Sequence, residues 1–306
     1  MASKSVSRSK IEELKEKNDA VIVAHNYQVG EIQEAADYVG DSFGLARKVA
    51  DLNISNVVFC GVDFMVESAV LLNPDKNIIH PEPEASCPMA EMVDLSELRG
   101  YKEENPHTAV VSYVNTNVET KAESDVCCTS SNAVKVVESV EERKVLFVPD
   151  KNLGHYIKRF VSDKEVDVWD GFCATHDNIT LEDVQGLVNR FPDAEVVVHP
   201  ECRPEVVDLA DYAESTAGIL ERAKKSDVHH MIIGTEKEMG YRLKKEVPDK
   251  EYHFPGSPVC QNMKKITMEK VIRSLENLEP VIEVEEDVAV KARIPLERMV
   301  EIGRGK

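Results

Sequence analysis

The sequence predicts an α/β fold of three αβα three-layer domains with parallel sheets, related by a pseudo-threefold axis and enclosing an active site at their central interface. Three observations predict it. Apolar, β-branched runs recur as "AVIVAHNY" at 20–27, "AVVSYVNT" at 109–116 and "AEVVVHPE" at 194–201, each passing into polar residues at its C-terminal end. A second strand-like run follows each in phase: "NVVFCGVD" at 56–63, "KVLFVPDK" at 144–151 and "HMIIGTEK" at 230–237. Of the seven cysteines, only Cys87, Cys173 and Cys260 keep the same period, at separations of 86 and 87 residues. Such a period is too long for a solenoid repeat and suits a small α/β domain of about three strands with their helices.

The elements follow in order. A helix-like "SKIEELKEKN" precedes the first strand. The first domain is expected over 1–105 together with the C-terminal segment 281–306, the second over 106–190 and the third over 191–280. Between the first and second strands of each lies a hydroxyl residue at an expected helix start: Ser42, Ser130, and the pair Ser215 and Thr216. Each domain then closes on a short extended piece and a cysteine, in "HPEPEASCPMA", "WDGFCATH" and "PGSPVCQNMK".

Composition narrows the function. With Lys plus Arg at 37 against Asp plus Glu at 56, the net charge of −19 argues against a nucleic-acid or anionic-membrane binder. An anionic substrate would have to be held by helix N-termini, a metal and a few placed cations. No apolar run approaches the roughly 18 residues of a membrane span, and "MASKSVSRSK" lacks the apolar stretch of a signal peptide, so the expected location is cytoplasmic. Seven cysteines, an odd number with no C-x-x-C pair, are not a disulfide framework in a reducing compartment.

Ligands of parallel α/β sheets bind beyond the carboxyl ends of the strands. That edge would collect His25, Tyr113 and His199, with Tyr27, Asn115 and Glu201 two residues further on and on the same face. His25 and His199 occupy equivalent strand ends, and Glu201 is placed to join His199 in proton transfer. The hydroxyls of Ser42, Ser130, Ser215 and Thr216 read as helix caps whose free N–H groups can also face an anion. Cys60, Cys127, Cys128 and Cys202 read as small buried hydrophobes. His80, His107, His155, His229, His230 and His253 have no repeating partner and read as structural or surface residues. Three thiolates, one from each repeat, suit an iron-sulfur cluster better than a structural zinc, which takes four protein ligands. A 4Fe–4S cubane on three cysteines leaves one iron open as a Lewis acid.

Ordered motifs over nearly the whole chain carry a family resemblance: "AHNYQ", "GDSFGLAR", "YVNTNVETKAESDVCCTSSNAVKVV", "FVPDKNLG", "WDGFCATH", "HPEC", "ADYAESTAGIL", "GTEKEM" and "CQNMKKIT". In these the chain resembles the quinolinate synthase family. The resemblance implies a triangle of three α/β domains and a 4Fe–4S cluster on Cys87, Cys173 and Cys260. It implies condensation of iminoaspartate with dihydroxyacetone phosphate to quinolinate, phosphate and two waters, in de novo NAD biosynthesis. An aspartate oxidase or dehydrogenase would supply the imine. The family's active-site positions fall on His25, Tyr27, Ser42, Tyr113, Asn115, Ser130, His199, Glu201, Ser215 and Thr216. Glu201 is the expected general acid and base, helped by Tyr27, His25 and His199. Some bacterial members carry C-x-x-C-x-x-C near the third ligand; here the stretch is "CQNMKK", and no redox switch of that kind is expected. Two readings compete: a metal-dependent aldolase or hydrolase on a (β/α)₈ barrel, and a non-enzymatic iron-sulfur sensor.

Overall fold

The computed structural model describes residues 2–304, so Met1, Gly305 and Lys306, at the ends of the expected first domain, lie outside the described residues. After helix α1 (Ala2–Lys17) comes the first repeat: β1 (Ala20–His25), α2 (Gly30–Ala35), β2 (Tyr38–Gly40), α3 (Ser42–Ala50), β3 (Asn56–Cys60), α4 (Asp63–Leu72), β4 (Asn77–Ile79), a 3₁₀ turn at Ala90–Met92 and α5 (Leu95–Glu104). The second repeat has the same order: β5 (Thr108–Tyr113), α6 (Val118–Ala122), β6 (Val126–Cys128), α7 (Ala133–Ser139), β7 (Lys144–Val148), α8 (Lys151–Ile157), β8 (Glu165–Val168), α9 (Ala174–Asp177) and α10 (Leu181–Arg190). So does the third: β9 (Glu195–Val198), α11 (Pro204–Leu209), β10 (Tyr212–Ala213), α12 (Thr216–Lys225), β11 (His230–Gly234), α13 (Met239–Glu246), β12 (Glu251–His253), a 3₁₀ turn at Met263–Lys265 and α14 (Met268–Asn277). Helix α15 (Glu286–Arg304) ends the described chain.

Each repeat builds one four-stranded parallel sheet, in the orders β2-β1-β3-β4, β6-β5-β7-β8 and β10-β9-β11-β12. Three separate open sheets of four strands are not a closed eight-stranded barrel, which removes the (β/α)₈ reading. Each sheet has four strands where sequence periodicity indicated about three. The short second strand, two or three residues long, is too brief to show alternation. An aspartate secures it instead. Asp37, Asp125 and Asp211 each accept the backbone N–H of the neighbouring long strand, from Ile22, Val110 and Val196 at 2.8, 2.7 and 2.8 Å, and donate their own N–H to the same residue's carbonyl. The two contacts extend each parallel pairing backwards past the end of the short strand.

By contact the chain forms two compact units: one takes residues up to Cys87 and Cys260–Glu285, the other Pro88–Val259 and the residues from Glu286. In the first unit, Ile22, Ala24, Val58, Cys60 and Ile79 of the sheet pack with Ile11 of α1 and Val271 and Leu275 of α14. In the second, Val110, Leu146 and Val148 pack with Val93 and Leu98, while Val196, Val198 and Ile232 pack with Ile179, Val184 and Val206. Each such aliphatic side chain contributes about 1.5–3 kcal/mol on burial.

The C-terminal segment divides. Residues 281–285 stay with the first unit, where Val281 bridges Ile79, but α15 lies against α6, β6 and α7 of the second repeat. The sequence reading joined all of 281–306 to the first domain. The helix carries a buried stripe of Ala289, Ala292, Leu296 and Met299 at three- and four-residue spacing, with Val290 and Ile294 exposed on the other side. That stripe was visible in the sequence; the sheet it covers was not.

Candidate active site and metal centre

In the first unit, His25 ends β1 and is buried, and its Nδ1 accepts the Tyr27 backbone N–H at 3.2 Å. The neutral ring therefore carries its proton on Nε2. Tyr27 is half-buried, meets the His25 ring edge-on at 4.5 Å and accepts the Lys264 ammonium at its carbonyl. Ser42 opens α3 without capping it; the cap is Asp41, whose carboxylate accepts the Gly44 N–H at 2.6 Å. Cys87 is half-buried, and its N–H donates to Asp63 Oδ1 at 3.0 Å.

The second unit repeats both devices. His199 follows β9, is buried, and accepts the Glu201 N–H at Nδ1 over 3.4 Å, the counterpart of the His25–Tyr27 contact. Asp150, at the position after β7 that Asp63 holds after β3, caps α8 through the Leu153 N–H at 2.7 Å and accepts the Cys173 N–H at 3.1 Å. A carboxylate one strand away thus fixes the backbone of Cys87 and of Cys173 alike. Glu236 stands at the same place after β11 and is buried.

Around Glu201 the second and third repeats converge. Its carboxylate is 2 % exposed, and Oε2 lies 2.6 Å from His176 Nδ1 and 3.7 Å from His199 Nδ1. Since a carboxylate can only accept, His176 donates from Nδ1 and its Nε2 faces the Thr235 hydroxyl at 2.8 Å. The His176 and His199 rings stack at 4.7 Å. Cys173 Sγ is 3.2 Å from His176 Nδ1, so Cys173, His176 and Glu201 offer ligand atoms within 4.8 Å of one another and could hold a metal ion. Glu201 Oε1 is buried without a hydrogen-bond partner, a vacancy that a bound N–H or O–H would fill.

The electrostatics follow from this packing. Burial alone would raise the Glu201 carboxyl, but His176, His199 and the Tyr113 hydroxyl together hold it below the ordinary range. Burial, then the nearby Glu201 charge, pushes Asp150 well up. Burial depresses the His199 imidazole to about 3, so the ring is neutral. The result at neutral pH is an ionised Glu201 beside a neutral His199.

The structure thus brings Tyr113, Cys173, His199 and Glu201 into one cluster. Ser215 caps α12 through the Gly218 N–H at 3.2 Å, with Thr216 as its first residue, while Ser130 stands in the turn before α7 and Asn115 in the loop after β5. Among the described residues no hydrogen bond joins Asn115, Ser130 or Ser215 to that cluster. Sequence reasoning missed His176, Thr235, Asp63 and Asp150. His176 was signalled by its place one helical turn after Cys173 in "CATH", and Asp63, Asp150 and Glu236 by the period, at 87 and 86 residues.

The cysteines sort by burial. Cys60, Cys127, Cys128 and Cys202 are fully buried and their thiols are pushed up by desolvation, Cys127 to about 11, whereas Cys87, Cys173 and Cys260 are half-buried. A thiol that resists ionisation is a poor metal ligand.

Comparison with known proteins agrees with the motifs. The family described as Quinolinate synthetase A protein matches residues 9–301. A quinolinate synthase of Dehalococcoides mccartyi (strain CBDB1) is 51% identical over 295 residues, covering 96% of this chain and 97% of that protein. Quinolinate synthase 2 of Methanosarcina acetivorans is 49% identical over 294 residues, 95% of this chain and 94% of that protein. Quinolinate synthase of Thermodesulfovibrio yellowstonii is 46% identical over 288 residues, 94% of this chain and 95% of that protein. Similarity at this level over nearly the whole chain leaves one assignment: the chain belongs to the quinolinate synthetase A family.

Proposed function

We propose that this chain is a quinolinate synthase that condenses iminoaspartate with dihydroxyacetone phosphate, giving quinolinate, inorganic phosphate and two waters, for NAD biosynthesis. The observation that carries the reading is Glu201: an ionised carboxylate, almost fully buried, held at one oxygen by His176 and unpartnered at the other. A buried carboxylate with one free oxygen can accept a hydrogen bond or a proton from a substrate bound beside it.

Cys87, Cys173 and Cys260 fit a 4Fe–4S cluster: they alone of the seven thiols are not fully buried, and two of them have their backbone fixed by a carboxylate. Bound there, the cluster would supply an iron with an open position, a Lewis acid toward oxygen or nitrogen ligands. The remaining roles belong to side chains. Glu201 Oε1 takes and returns protons while His176, backed by Thr235, keeps Oε2 in place. The Nε2–H of His25 donates to substrate oxygen, and Tyr27 beside it shares that work with His199. Ser42, Tyr113, Asn115 and Ser130 orient the two substrate carboxylates through hydroxyl and amide hydrogen bonds. Ser215 and Thr216, at the start of a ten-residue helix, offer hydroxyl and backbone N–H groups to the phosphate.

The reading places the enzyme in the cytoplasm, without nucleic-acid or membrane partners, fed by an aspartate oxidase or dehydrogenase. Among the described residues no helix is long and apolar enough to cross a membrane. An anaerobic assay supplying iminoaspartate and dihydroxyacetone phosphate tests the proposal. Quinolinate and phosphate should form in equal amounts. Release of phosphate from the triose without quinolinate would point to the hydrolase chemistry, and a loaded cluster with no turnover to the sensor.

A further inference from the structure

At the opposite end of the third sheet's strands from Glu201 and Thr235, a second group of ligating side chains converges. His230 opens β11 and follows His229, while Glu251 and His253 lie on β12, the edge strand, with His230 paired opposite Glu251 and Ile232 opposite His253. His230 Nδ1 is 3.2 Å from His253 Nε2 and 3.5 Å from Glu251 Oε2, and His229 Nε2 is 3.8 Å from Glu251 Oε1. The ligand atoms of His229, His230 and Glu251 all fall within 4.8 Å of one another. Among the described residues these four side chains make no other hydrogen bond or ion pair.

Two features distinguish this group from an incidental surface patch. Imidazole nitrogens that face each other at 3.2 Å need a proton or a cation between them. The rings are also held in place beforehand: Phe191 stacks on His253 at 3.8 Å and 14°, and on His230 at 5.0 Å and 30°. A tetrahedral ion with bonds of about 2.0–2.2 Å sets its ligand atoms about 3.3–3.6 Å apart, near the 3.2, 3.5 and 3.8 Å contacts of this group. An opposing charge comes from Arg190, whose guanidinium lies over the Phe191 ring.

We propose that His229, His230 and Glu251, with His253 beside His230 as a further donor, form a site for a divalent transition ion of the zinc class that ties edge strand β12 to β11. Two imidazoles and a carboxylate select zinc, cobalt or nickel over magnesium or calcium. The inference is independent of the catalytic reading, since none of these residues belongs to the site around Glu201. It gives His229, His230 and His253 a role other than the structural or surface one expected from the sequence.

The test is equilibrium dialysis of the anaerobically purified full chain against micromolar zinc, with thermal unfolding read in parallel. Wild type should hold one zinc equivalent that the double variant His230→Asn, His253→Asn lacks, and zinc should raise its melting temperature but not the variant's. Cys173→Ala should keep that equivalent. Glu251→Gln, at an exposed position, should weaken binding about tenfold or more while leaving the circular dichroism unchanged. Equal zinc content and equal zinc response in wild type, the double variant and Glu251→Gln would overturn the proposal.

Discussion

At the scale of single residues, the proposed reaction rests on Glu201. Burial without partners would cost an ionised carboxylate far more than it could repay, yet His176 at 2.6 Å and the Tyr113 hydroxyl keep it charged. Replacement by glutamine keeps the shape and removes the base. Glu201→Gln should lower quinolinate formation by about 10²- to 10⁴-fold while the iron and sulfide content stays at the wild-type level; full activity would dismiss the role. Asp150 allows a second, graded test. Its side chain satisfies the Leu153 and Cys173 N–H groups, so Asp150→Ala should destabilise the fold by about 1–3 kcal/mol, and Asp150→Asn, which keeps an acceptor, by less. Denaturant unfolding of the two variants measures the difference. Glu201 and His199 were legible in the sequence because they sit at a repeating strand end. His176 was not, because its meaning depends on α9 turning it toward a strand of another repeat.

At the scale of elements, short strands are held by side chains rather than by long ladders, and His80 illustrates the consequence. It follows β4, is 1 % exposed, and its ring donates from Nε2 to the Gly61 carbonyl at 2.8 Å. Burial lowers its pKa to about 4, below the unfolded value near 6.5. The unfolded chain therefore takes up a proton first, so the stabilisation is present above pH 6.5 and lost as pH falls toward 4. The total is about 3 kcal/mol. Urea unfolding across that range should show the decline in wild type, with a flatter profile in His80→Gln; identical profiles would contradict the assignment. Helix α15 offers a test of packing. Leu296 is fully buried on its inward stripe, so Leu296→Ala should cost about 2–5 kcal/mol, whereas Ile294→Ala on the exposed side should cost little. The long strands and the helix stripes could be read from apolar periodicity. The short second strand of each repeat could not, since its pairing is extended by Asp37, Asp125 and Asp211 reaching across to the neighbouring long strand.

At the scale of the whole molecule, one pattern of strands, turns and helices is written three times, and each copy ends in a half-buried cysteine ahead of a short helical turn. The net charge of −19 gives no general attraction for anionic substrates, so their binding rests on local groups such as the start of α12. Repetition made the sheets and the three cysteines visible from the sequence alone. It left undetermined that sheets two and three share a compact unit and that α15 joins them, because period carries no information about which copies adhere. The central claim is that the three in-phase thiols, and none of the other four, bind the cofactor. Anaerobic purification with iron and sulfide quantification, on wild type and on single Cys→Ser variants, tests it most directly. About four iron and four sulfide per chain are expected in wild type and in Cys60→Ser, with severe loss in Cys87→Ser, Cys173→Ser and Cys260→Ser. A full complement in Cys173→Ser, together with loss in Cys60→Ser, would contradict it.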